Sequence, residues 1–157
     1  MLKNTQRQWF GHGVLMMMAT LLGGVGYWMY IVGGFEIFPG HIIEFSLPGS
    51  ESGWRQTHIG PVMNGLMVIG VALVLPALDF KESTAKLLGW LIVADGWANV
   101  LFYFAGNFSP NRALALSETR LGPADMWSVI GLVPAVIFGA IAIVVMAIIG
   151  WRAVRSG

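Results

Sequence analysis

Residues 87–104 read LLGWLIVADGWANVLFYF, with one acid in eighteen positions. A run that long and apolar is built to lie in lipid, and a helix is the structure that satisfies its own backbone hydrogen bonds there. Within it Asp95, Asn99 and Tyr103 fall four residues apart. Steps of four put all three polar groups on one face of a helix. An ionisable group at mid-membrane costs about 2.5–3.5 kcal/mol on insertion scales, so that face must turn towards protein. Two readings stay open. The ladder is an interhelical hydrogen-bond seam that glues a bundle, or it furnishes a site, since three aligned groups exceed what packing needs.

The rest of the chain shares this character. Of its 157 residues 56% are hydrophobic and 11% charged. Soluble domains carry about 25% charged residues, so the composition is that of a membrane protein. The length suits one domain, residues 1–157. A net charge of +1 gives no argument for a nucleic-acid or other polyanionic partner. Cysteine is absent, which excludes disulfides, thiolate nucleophiles, iron–sulfur clusters, zinc–thiolate sites and a covalent c-type haem.

Four segments meet or approach the roughly 20 apolar residues that a bilayer core of about 30 Å demands. They are Trp9 to Val32, Pro61 to Leu78, Lys86 to Ala105, and Asp125 to Gly150. The expected fold is therefore all-α, a bundle of four transmembrane helices. Pro61 suits the first turn of the second helix, with a start as far upstream as Thr57 also compatible. Pro123 followed by Asp125 is a start signal for the fourth. Lys3 and Arg7 precede the first run, but that run is too long for a signal peptide and no Ala-x-Ala site follows, so it reads as a retained anchor. Gly11, Gly13, Gly23, Gly24 and Gly26 predict close helix contacts. Met16, Met17 and Met18 read as adaptable packing, not a metal cluster.

Lys3, Arg7, Lys81, Lys86, Arg152 and Arg155 lie on one side of these helices, and Arg55, Arg112 and Arg120 on the other. That bias predicts both termini in the cytoplasm. Trp9, Trp54, Trp90 and Trp151 fall near segment ends, where aromatic belts are expected. The two far-side loops, 33–56 and 106–122, are long, and could cap a site opening on that side.

Three histidines are present. His12 belongs to the near end of the first segment, His58 to the far end of the second, and His41 to the first far-side loop. On this topology His12 and His58 are most of a bilayer apart, which speaks against a two-histidine electron-transfer haem within one subunit. No H-x-x-E-H or similar spacing supports zinc or non-haem iron. What remains is a single-histidine site with an open coordination position, as in haem proteins that bind a ligand. The competing reading of His58 is an interfacial, hydrogen-bonded residue. Asn64 lies six residues beyond His58, about 9 Å along a helix. Tyr103 lies near the far-side end of the antiparallel third segment. His58, Asn64 and Tyr103 thus share the outer half of the membrane, with Asp95 deeper. Asn64 and Tyr103 can each donate a hydrogen bond to a small oxygen atom; helix–helix glue and an aromatic belt are their plainer alternatives.

The strings GGFEIFPGHIIEFSLPGSESGW (33–54), HIGPVMNGLMVIGVALVLP (58–76), DGWANVLFY (95–103) and NFSPNR (107–112) resemble those of styrene oxide isomerases. The resemblance runs from about His12 to Arg112 and more loosely through the fourth helix; residues 113–121 fall outside it. It implies a multi-pass protein of the bacterial inner membrane, a homotrimer with haem b between neighbouring subunits, acting in aromatic hydrocarbon catabolism. It implies His58 as axial ligand, Asn64 and Tyr103 holding an epoxide oxygen, and Asp95 as a pocket or supporting residue. The implied reaction turns an aryl epoxide into an aldehyde, styrene oxide into phenylacetaldehyde, by ferric-haem Lewis acidity and a 1,2-hydride shift. The rival classes are a haem-dependent electron carrier, a non-enzymatic four-helix binding or transport subunit, and a glutathione-dependent membrane enzyme. The last would need a basic cluster, and the far side offers only three arginines.

Overall fold

The computed structural model describes residues 2–155, whose regular structure is helical apart from one small hairpin. Helix α1 spans Leu2–Val32, α2 Glu51–Val74, α3 Glu82–Ala105 and α4 Met126–Arg155, and a 3₁₀ turn at Leu75–Ala77 extends α2. All four are long and apolar enough to cross a membrane, as the hydropathy predicts.

The start of α2 differs from expectation. It begins at Glu51, and Pro61 is buried in the helix interior, not in the first turn. Ser50 sets the start: its backbone is extended and its hydroxyl accepts the Gly53 N–H at 3.1 Å, which satisfies one of the unpaired donors of the first turn. Glu51 adds a negative charge at the positive end of the helix dipole. His58 therefore sits about two turns inside α2 and not at its end.

At α4 the sequence signal holds. The Ser128 N–H donates to Asp125 Oδ1 at 2.9 Å, and the Asp125 N–H donates to Ser128 Oγ at 3.2 Å, a reciprocal cap. Arg152 and Arg155 occupy the last turn, where cations complement the dipole.

Helices α1, α2 and α3 pack against one another, and α4 leans chiefly on α3. Glycine makes the close approaches. Gly13 faces the Gly65 backbone and Ile69, Gly23 faces the Thr57 backbone, and Gly96 faces the end of Met16. Gly26 and Gly89 leave slots for Trp54 and Trp9. Those two indoles, expected in the aromatic belts, are instead core residues, 7% and 1% exposed. A slot lined by a missing Cβ buries more indole surface than a headgroup layer does. Trp90 and Trp151 remain exposed. Gly11, grouped with the contact glycines by the sequence, faces open space.

Trp9 against Gly89, and Arg152 donating to the Asp79 carbonyl, put both chain ends and the 75–82 turn at one end of the molecule. The other end holds the two long connections. The first, which the sequence predicts as loop, contains a hairpin: β1 (Gly34–Phe38) pairs antiparallel with β2 (His41–Glu44). Gly40, at φ +83°, makes the turn, and its N–H donates to Glu36 Oε1 at 2.9 Å.

Candidate active site

His58 leans on α1. Gly24 makes room for it, since a Cβ there would stand 2.6 Å from the imidazole Nδ1. Nδ1 lies 3.1 Å from the Thr20 carbonyl oxygen. A carbonyl only accepts, so Nδ1 carries the proton and Nε2 carries the lone pair. The ring borders an open groove of about 570 Å³ between Leu21, Val25, Trp28 and Ile31. The described residues hold no cluster of three or more His, Asp or Glu side chains suited to a metal ion. Nε2 is thus a lone basic nitrogen on a ring that borders an apolar groove.

His12 does not join it. Its Nδ1 accepts the Trp97 Nε1–H at 3.1 Å, and its ring stands edge-on to Trp90 and Trp97. The expected separation was nevertheless too large. His58 meets α1 at Thr20, eight residues from His12, which is about 12 Å of helix and not most of a bilayer. The ten residues of α2 that precede Pro61 draw His58 inward. His41 lies in β2, stacked on Phe38 with ring centres 4.0 Å apart.

The other candidate residues gather on the opposite side of α2. The Tyr103 ring lies against Gly60, whose missing side chain forms the slot. It borders a second groove, of about 480 Å³, with Gln56, Ile59, Met63, Phe102 and Leu114. Asn64 sits beside the Tyr103 hydroxyl, and Asp95 is near enough to act on it electrostatically. The Asn64 amide nitrogen is buried and makes no hydrogen bond. A buried donor without an acceptor costs about 1–3 kcal/mol, so it asks for a partner. Deeper in α3 the Asn99 amide donates to Asp95 Oδ1 and to the Asp95 carbonyl, both at 3.0 Å. Asp95 is 4% exposed. The ladder read from four-residue spacing is therefore buried at Asp95 and half-buried at Asn99 and Tyr103, where it meets the groove.

Depth is set by residues that the sequence reading passed over. Thr57, fully buried, places its hydroxyl 2.9 Å from the Tyr103 carbonyl and accepts the Asn107 amide at 2.8 Å. Tyr103 is thereby tied to the neighbour of His58, and the expected common depth of His58 and Tyr103 holds. Gly60 carried a legible signal, because a glycine inside a helix costs about 1 kcal/mol against alanine and so calls for a packing reason. Thr20 and Gly24 gave none, since their roles depend on which helix lies opposite.

The two grooves have no lining residue in common. A single chain keeps its basic nitrogen and its hydrogen-bond donors on separate faces of α2.

Two comparisons bear on what these residues serve. The sequence profile of the family described as styrene oxide isomerase matches residues 5–154. The styrene-oxide isomerase of Pseudomonas fluorescens is 53% identical over 156 residues, which is 99% of this chain and 92% of that protein. Both matches run through all four helices and the loops between them, including the 113–121 stretch. The chain is an isomerase of the styrene oxide isomerase family.

Proposed function

We propose that this enzyme converts aryl epoxides to aldehydes, styrene oxide to phenylacetaldehyde, at haem b held between subunits of a homotrimer in the bacterial inner membrane. The observation that carries the reading is the His58 tautomer. Nδ1–H is committed to the Thr20 carbonyl, which leaves Nε2 as the free nitrogen of a ring that borders the groove. Metal-bound histidines commonly donate their second N–H to a carbonyl in this way. Among the described residues no cluster of metal-ligating side chains accompanies it, which fits a haem that keeps a coordination position open.

The separation of the two grooves supports an intersubunit site. His58 of one subunit and the Asn64–Tyr103 pair of its neighbour would close one pocket. His58 Nε2 would hold ferric haem b, which would supply Lewis acidity towards the epoxide oxygen, an effect worth several kcal/mol. Asn64 and Tyr103 donate to that oxygen from the other wall and fix its direction, so that the benzylic C–O bond is the one that breaks. Positive charge then develops on the benzylic carbon. A hydride shifts to it from the terminal carbon, whose oxygen becomes the aldehyde carbonyl, and no proton enters or leaves. Asp95 supports this wall by holding Asn99 and standing behind Tyr103. Ile59, Met63, Phe102 and Leu114 keep out the water that would open the epoxide to a diol. With both termini cytoplasmic, the pocket lies in the outer half of the bilayer, into which an apolar epoxide partitions.

The test combines a spectrum with a label. The detergent-purified protein should show a Soret band that His58→Ala removes or shifts and that His12→Ala and His41→Ala leave in place. Styrene oxide deuterated at its terminal carbon should give phenylacetaldehyde with both labels retained, one of them on the benzylic carbon. An unchanged spectrum in His58→Ala refutes the ligand assignment. Exchange of the label with solvent before the aldehyde can enolise refutes the hydride shift.

A further inference from the structure

The loop that follows α3 is strained at one place and locked around it. Arg112 and Ala113 have φ of +61° and +55°, a region that costs a residue with a side chain about 1–3 kcal/mol and persists where the surroundings over-determine it. The surroundings here are a buried polar knot. Asn111 is fully buried; its Oδ1 accepts from Ser109 Oγ at 3.0 Å and from Ser128 Oγ at 2.9 Å, and its amide donates to the Ala115 carbonyl at 2.9 Å. The result is that Arg112 is carried across to α2, where its Nη2 donates to Gln56 Oε1 at 2.8 Å. Gln56 is neutral, so the guanidinium charge stays unbalanced. Arg55, beside Gln56 on the rim of the Tyr103 groove, makes no hydrogen bond or ion pair among the described residues. One uncompensated guanidinium group, Arg55, therefore lines that groove and a second, Arg112, meets its rim through Gln56, near the positive end of the α2 dipole.

This arrangement fits an anion that reaches the membrane surface from inside the pocket. Haem b carries two propionate carboxylates, which cannot be left unpaired in hydrocarbon. His58 lies seven residues from Glu51, the first residue of α2, about 10 Å of helix. The nearest water is therefore at that end, past Arg55. Arginine presents a planar fork that matches a carboxylate. We infer that Arg55 and Arg112 are the propionate-binding pair of the haem pocket, a site that rests on the haem reading above. Because both stand on the Tyr103 side of α2, the carboxylates are held by the subunit that supplies Tyr103, while the neighbour supplies His58. The strained 111–113 turn is then a device for placing Arg112 over a cofactor edge.

The test compares two probes, haemin and haemin dimethyl ester, titrated into full-length protein produced without haem and followed by absorbance. The wild type should prefer haemin by about tenfold or more, as expected for charge-assisted hydrogen bonds to a carboxylate. In Arg55→Gln/Arg112→Gln the two probes should bind within about threefold of each other, while the ester binds as in the wild type. His58→Ala should weaken both probes and leave the preference intact. A wild type that binds both probes alike, or a double variant that keeps the full preference, overturns the proposal. Loss of co-purified phospholipid phosphate in that double variant, with the haemin preference kept, would assign the pair to a lipid headgroup and also overturn it. If His58→Ala binds both probes like the wild type, the haem reading fails and this inference falls with it. Arg55 is exposed, so Arg55→Gln alone carries the test should the pair fail to assemble; an undiminished preference there counts against the proposal.

Discussion

Replacing Gly60 by alanine adds one methyl group where the Tyr103 ring already lies. The new Cβ would stand 2.5 Å from ring carbons Cδ2 and Cζ, and nearer still to Cε2. Carbon–carbon contact becomes favourable at about 3.5 Å, so the ring must retreat by roughly 1 Å. Two opposing effects act on stability. Overpacking costs about 1–3 kcal/mol, and the gain in helix propensity returns about 1 kcal/mol, for a net loss of up to about 2 kcal/mol. The effect on turnover is larger in proportion. A displacement of about 1 Å in a positioning group lowers rate by about 10²-fold, or about 2.7 kcal/mol in the barrier. Gly70 is the control. It lies in the same helix with nothing within 4 Å of a built Cβ, so Gly70→Ala should keep full turnover and gain up to about 1 kcal/mol in stability. The assay is the initial rate of aldehyde formation at saturating styrene oxide, with the Soret band and thermal midpoint read on the same samples. His58 faces the other side of α2, so the Soret band should not move. A Gly60→Ala enzyme that turns over within about threefold of the wild type would show that Tyr103 does not depend on its seat, and would refute this account of the pocket.

Asp95→Leu should disturb assembly or activity more than Glu51→Leu does. It removes the acceptor at 3.0 Å from the half-buried Asn99 amide, whereas exposed Glu51 accepts from the Tyr27 hydroxyl at 3.3 Å at the surface; a fully active, stable Asp95→Leu protein would make the ladder dispensable. At Asp125, burial alone would raise the carboxyl, but the Ser128 and Trp127 N–H groups and the Ser109 and Ser128 hydroxyls outweigh it and hold it below the usual carboxylate range. A lowered value means the cap contributes fully above the ordinary pKa of about 3.9 and is lost as pH falls through the folded value. Asp125→Ala should therefore melt below the wild type at pH 7, with the gap closing under about pH 4; a constant gap in melting temperature would exclude the charge as its cause. Reporter fusions at both termini should score cytoplasmic and one in the 106–122 loop external; the reverse pattern would move the pocket to the inner half of the membrane.

What the sequence determines by itself is whatever local chemistry settles. Four helices follow from the length and apolarity of four runs, because the cost of an unpaired backbone group in lipid does not depend on the neighbours. The α4 start follows from Asp125 and Ser128, which cap within a single turn. The inward face of Asp95, Asn99 and Tyr103 follows from helical spacing and the cost of burying a polar group in hydrocarbon. Tertiary structure decides the rest. The first ten residues of α2 are too polar to read as a span, and it is Ser50 that extends the helix through them and draws His58 inward. Trp9 and Trp54 enter the core and leave the headgroup belt because Gly89 and Gly26 happen to lie opposite them. His58 and Tyr103 part to either side of α2 because the Gly24 slot in α1 receives the imidazole, while the Gly60 slot in α2 faces α3 and receives the phenol ring. Insertion into the membrane is decided residue by residue along the chain. The direction in which a side chain turns is decided by the shape of the helix that meets it, and that shape is brought there only by the fold.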